Sequence, residues 1–324
     1  AFPASQQTKS VGSWRHGSCT QMNPDSLPSP QARARSTVNP WRQGPVGIVG
    51  LGLIGGSLGL DLQHQGVEVR ALVHREATAE RARQRLLATK VDTNPAVLAG
   101  CSLVVLALPL HRLLEPPQEL LAALPPQAVI TDVGSVKAPV LELWQGLHPR
   151  FVASHPMAGT AEAGVEAGQQ GWFRGRPWVA TPAAATDPQA LALVQGLAQA
   201  VGAHWLSCGA AEHDQAVALI SHLPVLVGAA LLQTADRAGA TGAGDLAGLV
   251  RALASSGFAD TSRVGGGNPE LGTLMARCNR EALLVALVLY RQQLEALEQQ
   301  VSQGDWQGLR QELDRSKELR PQFL

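Results

Sequence analysis

The sequence predicts a doubly wound α/β domain followed by an all-helical domain. Between residues 46 and 181, short apolar runs alternate with helical stretches, which is typical of parallel strands joined by crossover helices. After Pro182 this alternation gives way to long helical stretches. We therefore predict an extension over residues 1–44, an α/β domain over 45–183 and a helical domain over 184–324.

The strands and helices of the first domain follow from these runs. The predicted strands cover residues 46–49, 67–73, 103–108, 129–132, 151–154 and 178–181. The predicted helices between them cover residues 55–64, 77–88, 113–123 and 136–146. The runs are short, apolar and rich in branched residues, so we expect strands that are buried on both faces of the sheet.

The second domain is predicted to consist of helices over 187–201, 211–235, 243–253, 268–301 and 306–317. A short run at 204–207 is a candidate for the last strand of the first sheet. Residues 282–289 are more apolar than one packed face requires, which predicts burial against a helix of a second subunit. We therefore expect a homodimer.

Composition excludes several classes of protein. The 324 residues are 45% hydrophobic and carry a formal net charge of +0, so we expect neither a nucleic-acid nor a membrane-surface partner. The apolar run 216–232 is broken by Ser221, His222 and Pro224, which predicts that it does not span a bilayer. The 4 cysteines are scattered, which indicates a reducing compartment and no disulfide framework or metal site.

Residues 1–44 differ from the rest of the chain. They are rich in Ser, Gln and Pro and contain several basic residues against the single acid Asp25. We interpret them as an unstructured extension or as a targeting segment. The expected location is the cytoplasm, or a plastid if the segment is a transit peptide.

A glycine-rich turn identifies a dinucleotide site. Gly50, Gly52 and Gly55 form a GxGxxG motif that follows the first predicted strand and begins the first predicted helix. Such glycines allow a tight turn, close approach of the backbone to a pyrophosphate and close packing of helix on strand. The backbone at Leu53 and Ile54 belongs to the helix N-terminus that faces the phosphates. The first domain is therefore predicted to be of the Rossmann type.

The end of the second strand distinguishes NADP from NAD. An NAD site has an acid there to bind the ribose 2′-hydroxyl, whereas this chain has His74 and Arg75. Arg75 can bind a 2′-phosphate through two parallel hydrogen bonds, and Thr78 can add a hydroxyl. We therefore predict NADP, with a solvated Arg75 and NAD as the alternative.

Leu108 and Pro109 end the strand that follows. Strand ends at this place of the fold commonly lie against the ribose on the nicotinamide side. By analogy with the fold, we expect them to contact the cofactor.

Two polar motifs follow later strands. Ser135 lies in TDVGSVK and His155 lies in SHPMAGT. Because ligands of doubly wound sheets bind beyond the carboxyl ends of the strands, both side chains are expected to face one crevice. The alternatives are a helix N-cap for Ser135 and a structural histidine for His155.

Five segments together resemble the prephenate/arogenate dehydrogenase family of tyrosine biosynthesis. They are VGIVGLGLIGGSL, TDVGSVK, SHPMAGT, AEHDQAVALISHLP and SSGFADTSRVGGGNPEL, and they extend from Val46 to about Leu271. The last three are much more specific than a GxGxxG motif. The combination is most similar to cyanobacterial-type arogenate dehydrogenases.

The resemblance implies an oxidative decarboxylation. The substrate is a cyclohexadienyl acid with a hydroxyl at C4 and a carboxylate at C1. His155 would accept the C4 hydroxyl proton while hydride passes to NADP⁺, and loss of CO₂ would then make the ring aromatic. Ser135 would orient the hydroxyl or His155, and it could contact the nicotinamide. Arg263 would bind the ring carboxylate.

The resemblance also implies that His213, Asp214 and His222 border the substrate cleft. Arogenate carries an amino group where prephenate has a keto group, so an acid near the ammonium would favour arogenate. Asp214 and Glu162 are the candidates for that acid.

Three alternatives remain for the function. The first is the same chemistry on prephenate, alone or with dual specificity. The second is a β-hydroxyacid dehydrogenase, but that class uses a lysine on the helical domain, and no lysine lies between Lys137 and Lys317. The third is a nucleotide-sensing protein without catalytic activity, which would not require Ser135, His155 and Arg263 together.

Overall fold

The computed structural model describes residues 40–160, 164–241 and 245–323. Its first domain is built on a six-stranded sheet of order β3-β2-β1-β4-β5-β6. The strands are β1 Val46–Val49, β2 Val69–Leu72, β3 Lys90–Asp92, β4 Leu103–Leu106, β5 Val129–Asp132 and β6 Phe151–Val152. All neighbouring pairs are parallel, which confirms the predicted doubly wound fold. The strand order reverses between β1 and β4, so a crevice opens at their carboxyl ends.

Helices cover both faces of this sheet. They are α1 Leu53–His64, α2 Glu76–Gln84, α3 Leu110–Leu114, α4 Gln118–Ala123 and α5 Ala138–Leu147. Every residue of β1, β4 and β5 is buried, as their apolar sequences require. The sequence did not predict β3, because only Val91 of its three residues is buried and no apolar run marks it.

A second sheet of three strands adjoins the first. It contains β7 Ser154–Pro156, β8 Pro177–Ala180 and β9 His204–Ser207, in that order. The predicted strands at 178–181 and 204–207 therefore do not extend the first sheet. The physical reason is direction: β8 runs antiparallel to β7, and α6 Pro188–Ala200 then makes β9 parallel to β8.

Helix α6 packs against the first sheet. Val194, Leu197 and Ala198 of this helix belong to the same buried cluster as the residues of β1. The predicted boundary at residue 183 assigns α6 and β9 to the second domain. Their packing instead groups α6 and β9 with the sheets of the first domain.

Trp41 belongs to the same core. It is 1% exposed, and a Cβ at Gly196 of α6 would lie 2.7 Å from its ring. The prediction of an unstructured extension is therefore wrong for residues 40–44, since the indole gains a buried apolar site there. Residues 1–39 lie outside the described part of the chain.

The second domain is helical, as predicted. Its helices are α7 Ala210–Val217, α8 Leu223–Thr241, α9 Leu246–Leu253, α10 Ser256–Ser262, α11 Pro269–Cys278, α12 Arg280–Gln303 and α13 Trp306–Leu319. A π-helical turn, Ala218–His222, joins α7 to α8 without a break. The wider turn accommodates Pro224, which lacks the N–H that an α-helix would use.

The apolar run 216–232 lies within one long helix. Residues 210–240 form a helix of 31 residues that is long and apolar enough to cross a membrane by length and composition. The same helix contains the buried polar residues His213, Asp214 and His222, and it packs against α9, α10 and α12. Packing within the described residues accounts for only part of its apolar character, since 22% of its most apolar 18-residue window is buried.

Candidate active site

The glycine-rich turn has the geometry of a phosphate site. Gly50 has a φ of 94°, and a Cβ on it would lie 2.4 Å from the Ala107 carbonyl oxygen. A Cβ on Gly55 would lie 2.0 Å from the Gly50 oxygen, whereas one on Gly52 would meet nothing within 4 Å. Helix α1 begins at Leu53, and Ile54 is in the same first turn, whose N–H groups lack helical acceptors. Open space beside Gly52 and free N–H groups fit a pyrophosphate.

His74 and Arg75 lie at the end of β2 as predicted. Both are exposed, and the Arg75 Nε donates a hydrogen bond of 2.6 Å to His74 Nε2. Arg75 is also the N-cap residue of α2, and Thr78 lies in the first turn of that helix. The hydrogen bond uses only the Nε of Arg75, and an exposed guanidinium at this strand end fits an anionic group such as a 2′-phosphate.

Leu108 and Pro109 lie beside the glycine turn. A Cβ on Gly50 would be 3.6 Å from Leu108 Cδ2, and Pro109 is the N-cap residue of α3. The end of β4 thus adjoins the end of β1, where the sheet reverses.

Asp132 and Lys137 form a buried ion pair that sequence reasoning missed. Both side chains are 0% exposed, and the Lys137 ammonium donates to Asp132 Oδ2 and to the Ser154 carbonyl oxygen. Asp132 also accepts from the backbone N–H groups of Gly134 and Ser154. Burial lowers the pKa of Lys137, and the nearby Asp132 carboxylate raises it. The pair ties the turn that contains Ser135 to the strand that contains His155.

His155 lies in a chain of three hydrogen-bonded side chains. Its Nδ1 is 3.0 Å from His213 Nε2, and His213 Nδ1 is 2.8 Å from Asp214 Oδ1. All three residues are buried. Burial, and next the positive charge available on His213, Lys137 and His222, holds the pKa of His155 well below its usual value. A neutral imidazole is the form that accepts a proton.

Asp214 does not serve as a free acid at the cleft. Its Oδ1 accepts from the Lys137 N–H at 2.7 Å, and its Oδ2 accepts from the Ala138 N–H at 2.8 Å. The carboxylate therefore caps the N-terminus of α5 from the second domain. The expectation that Asp214 binds a substrate ammonium is corrected by this geometry, because both oxygens already have donors.

The expectation that His213 contacts the substrate is corrected for the same reason. One ring nitrogen is bonded to Asp214 and the other to His155, so neither is available to a substrate. The second candidate acid, Glu162, lies outside the described residues.

His222 retains an unpaired nitrogen. Asn279 Nδ2 donates to the Asp214 carbonyl oxygen at 2.7 Å and lies 3.2 Å from His222 Nδ1. An amide nitrogen can only donate, so His222 Nδ1 accepts and Nε2 bears the proton. That Nε2 is buried without a partner among the described residues. Burial, which outweighs the opposing effect of Asp214, lowers the pKa of His222 to about 4.

Ser135 lies in the bend between β5 and α5 and is half-buried. It does not cap α5, whose N-cap residue is Lys137. The alternative interpretation of Ser135 as a helix cap was therefore wrong, since Asp214 supplies that cap.

Arg263 ends α10 and is exposed. Its turn lies against α8, because a Cβ on Gly265 would be 2.1 Å from the Ala229 backbone nitrogen. This close approach holds the turn after α10, two residues beyond Arg263, against α8. Among residues 40–160, 164–241 and 245–323, no group of three His, Cys, Asp or Glu side chains could hold a metal ion.

Comparison with protein families gives two matches that together cover most of the chain. Residues 58–207 match the nucleotide-binding domain of prephenate dehydrogenase, and residues 209–315 match its dimerization domain. The division falls after β9, in agreement with the packing of α6 and β9.

Individual proteins give the same result. The crystal structure of Synechocystis arogenate dehydrogenase is 40% identical, with a TM-score of 0.73, and covers 86% of this chain and 100% of its own. Prephenate dehydrogenase from A. aeolicus, in complex with hydroxyphenyl propionate and NAD+, is 27% identical with a TM-score of 0.79, over 87% of this chain and 98% of its own. Cyclohexadienyl dehydrogenase of Zymomonas mobilis is 29% identical over 85% of this chain and 94% of its own.

Proposed function

The chain belongs to the prephenate/arogenate dehydrogenase family, and we propose that it is an NADP-dependent arogenate dehydrogenase that makes L-tyrosine. The observation that carries this proposal is the buried His155, which lies on β7 just after the carboxyl end of β6 and is hydrogen-bonded to His213. The arogenate assignment is supported by 40% identity to Synechocystis arogenate dehydrogenase, against 27–31% to the prephenate and cyclohexadienyl dehydrogenases.

The proposed reaction removes a hydride and CO₂ from the ring. His155 accepts the proton of the C4 hydroxyl as the C4–O bond becomes a carbonyl. Bound NADP⁺ supplies the acceptor for the C4 hydride. The electron pair of the C1–carboxylate bond then enters the ring and CO₂ leaves, and the resulting phenolate oxygen takes back the proton held on His155 to give the phenol.

The other site residues would orient the substrate. Ser135 can donate to or accept from the C4 hydroxyl, because its side chain has no capping role. Arg263 can bind the ring carboxylate through two parallel hydrogen bonds. The His222 Nε2–H can donate to a substrate oxygen, which would satisfy a buried donor that otherwise lacks a partner. Glu162 remains the proposed partner of the substrate ammonium.

A four-way rate comparison tests the assignment. We expect kcat/KM to be highest for arogenate with NADP⁺, among arogenate or prephenate combined with NADP⁺ or NAD⁺. Higher kcat/KM with prephenate would replace arogenate as the substrate while leaving the His155 chemistry in place. No turnover of either ring acid would reject the proposed reaction.

NADP use rests on the cationic end of β2. The pyrophosphate would be held by Gly50, Gly52, Leu53, Ile54 and Gly55. The 2′-phosphate would be bound by His74, Arg75 and Thr78. The nicotinamide side of the cofactor would be lined by Leu108, Pro109 and Ser135. Arg75 is the N-cap residue of α2, and its Nε is hydrogen-bonded to His74. An NAD site at this strand end would place a carboxylate there, which would repel the 2′-phosphate.

Replacing Arg75 by Ala should weaken NADP⁺ binding by about 10- to 100-fold, as expected for loss of a charge-assisted hydrogen bond. NAD⁺ binding should change little, because NAD⁺ has no 2′-phosphate. The dissociation constants can be measured by fluorescence titration. Arg81→Ala is a matched control on the same helix, since the Arg81 side chain pairs with Glu166. Equal loss of both cofactors would contradict the role of Arg75.

The second domain supports a homodimer. Residues 209–315 match a dimerization domain, and large apolar side chains of α12 are exposed. They include Leu284, Val285, Val288 and Leu289, which are between 43% and 49% exposed. Covering this surface with a second copy would remove it from water.

The relatives from Bacillus subtilis, Zymomonas mobilis and Synechocystis are bacterial, which favours a cytoplasmic enzyme. Nothing in the comparisons supports plastid targeting by residues 1–44.

A further inference from the structure

The three hydrogen-bonded residues His155, His213 and Asp214 define where each proton lies. As a carboxylate, Asp214 can only accept, so His213 Nδ1 must donate to it. In neutral His213, Nε2 then carries a lone pair and accepts from His155 Nδ1 across 3.0 Å. Since neutral imidazole has one ring proton, His155 Nε2 is left with a lone pair.

We propose that Asp214 and His213 are positioning residues that hold His155 in the tautomer whose Nε2 accepts a proton. This inference rests on the proposed function of His155 and assigns it two further residues. It differs from substrate binding, because every ring nitrogen of His213 and both oxygens of Asp214 are bonded within the protein.

The position of Asp214 in the fold supports this role. Asp214 lies in α7 of the second domain, yet it caps α5 of the first domain, the helix that begins after Ser135. The same carboxylate thus fixes both the turn of Ser135 and the ring of His155. Asn279 donates a hydrogen bond to the Asp214 carbonyl oxygen and thereby holds the backbone of Asp214.

The surrounding charges are compatible with this arrangement. Lys137 and His222 face the His155–His213 pair, and the Lys137 charge is matched by Asp132. A proton added to His213 Nε2 would reverse its hydrogen bond to His155 and place a proton on His155 Nε2. One added proton on either imidazole of the pair therefore removes the lone pair at His155 Nε2 that would accept the substrate proton.

Nitrogen NMR of the full protein with bound NADP⁺ tests the tautomer directly. With ¹⁵N-labelled histidine, we expect His155 to show a protonated Nδ1 and an unprotonated Nε2 at neutral pH. The His155 signal can be identified among the 9 histidines by its loss in His155→Asn. A protonated Nε2 on neutral His155 would overturn the proposal. This measurement requires no substrate and remains valid if the proposed reaction is wrong.

Two variants of His213 test the consequence. His213→Leu removes the acceptor for His155 Nδ1 and should lower kcat on the order of 10²-fold, part of what a general base supplies. His213→Gln offers an amide oxygen as acceptor and should retain more activity than Leu. Asp214 is left intact because its loss would also uncap α5.

The division of the loss of activity between kcat and KM distinguishes a positioning residue from a substrate ligand. A positioning residue should lower kcat with little change in KM, whereas a substrate ligand would raise KM. Wild-type kcat in His213→Leu, or an effect confined to KM, would overturn the proposal. Because the wild-type enzyme is assayed beside the variants, absence of any turnover would instead count against the proposed function.

Discussion

Replacing His155 by Asn is expected to lower kcat by about 10²- to 10⁴-fold, the contribution that a general base usually makes. Asn can keep the structure, since its amide nitrogen can donate to His213 Nε2 in place of the imidazole Nδ1. It lacks the Nε2 that would take the substrate proton. NADP⁺ affinity should not change, because the cofactor cradle lies on β1 and α1. Steady-state kinetics and cofactor titration measure the two effects separately.

His204→Asn provides the matched control, since His204 is an exposed residue of β9. It should leave kcat unchanged. Unchanged turnover in His155→Asn would remove the proposed role of this residue.

The wild-type pH profile gives a second test of His155. Its pKa is held well below the usual value of 6.5, chiefly by burial. The neutral form is the active one, so kcat/KM should persist as pH falls below 6.5 and decline only at lower pH. Loss of activity near pH 6.5 would indicate a solvated histidine instead.

The cofactor site was largely predictable because its determinants are local. Gly50 adopts a positive φ and Gly55 packs against the Gly50 carbonyl oxygen five residues earlier, and the strand before them is uniformly buried. The basic pair His74 and Arg75 likewise follows directly from the end of one strand. Short-range sterics and strand burial leave a signal in the sequence that can be recognised without the fold.

The polar network behind His155 could not be predicted in this way. Asp214 bonds to the N–H of Lys137, 77 residues earlier in the chain. In sequence, Asp214 is one acid at the start of an apolar helix, and a free role at the cleft is as reasonable as a buried one. Only the docking of α7 against the first turn of α5 distinguishes the two. The signal that could have identified Lys137 is its place in the TDVGSVK motif, five residues after Asp132.

The buried Asp132–Lys137 ion pair has opposing effects on the stability of the fold. Taking two charges out of water is costly, and burial lowers the pKa of Lys137 despite the attraction of Asp132. The pair is therefore not expected to contribute much net stability. Its value lies in geometry, because Lys137 also holds the carbonyl of Ser154, the residue before His155. Removing one partner should be far more harmful than removing both charges.

Lys137→Met is accordingly expected to reduce the free energy of unfolding by about 3–5 kcal/mol, since it leaves the Asp132 charge buried without its counter-ion. The double variant Lys137→Met/Asp132→Asn removes both charges and should recover part of that loss, because the amide oxygen of the new side chain can accept from only one of the two backbone N–H groups that Asp132 binds. Urea unfolding at fixed protein concentration measures the differences. Lys90→Met is the control: this lysine is 61% exposed, and its loss should change stability by no more than about 0.5 kcal/mol.

The double variant then separates stability from catalysis. Without Lys137, one positive charge that lowers the pKa of His155 is gone, so this pKa should rise. Since neutral His155 is the active form, the acidic limb of kcat/KM should move to higher pH in the double variant. Its kcat should also fall, because the hydrogen bond from Lys137 to the Ser154 carbonyl oxygen is lost. A folded double variant with wild-type kcat and an unshifted pH profile would show that the pair serves stability alone.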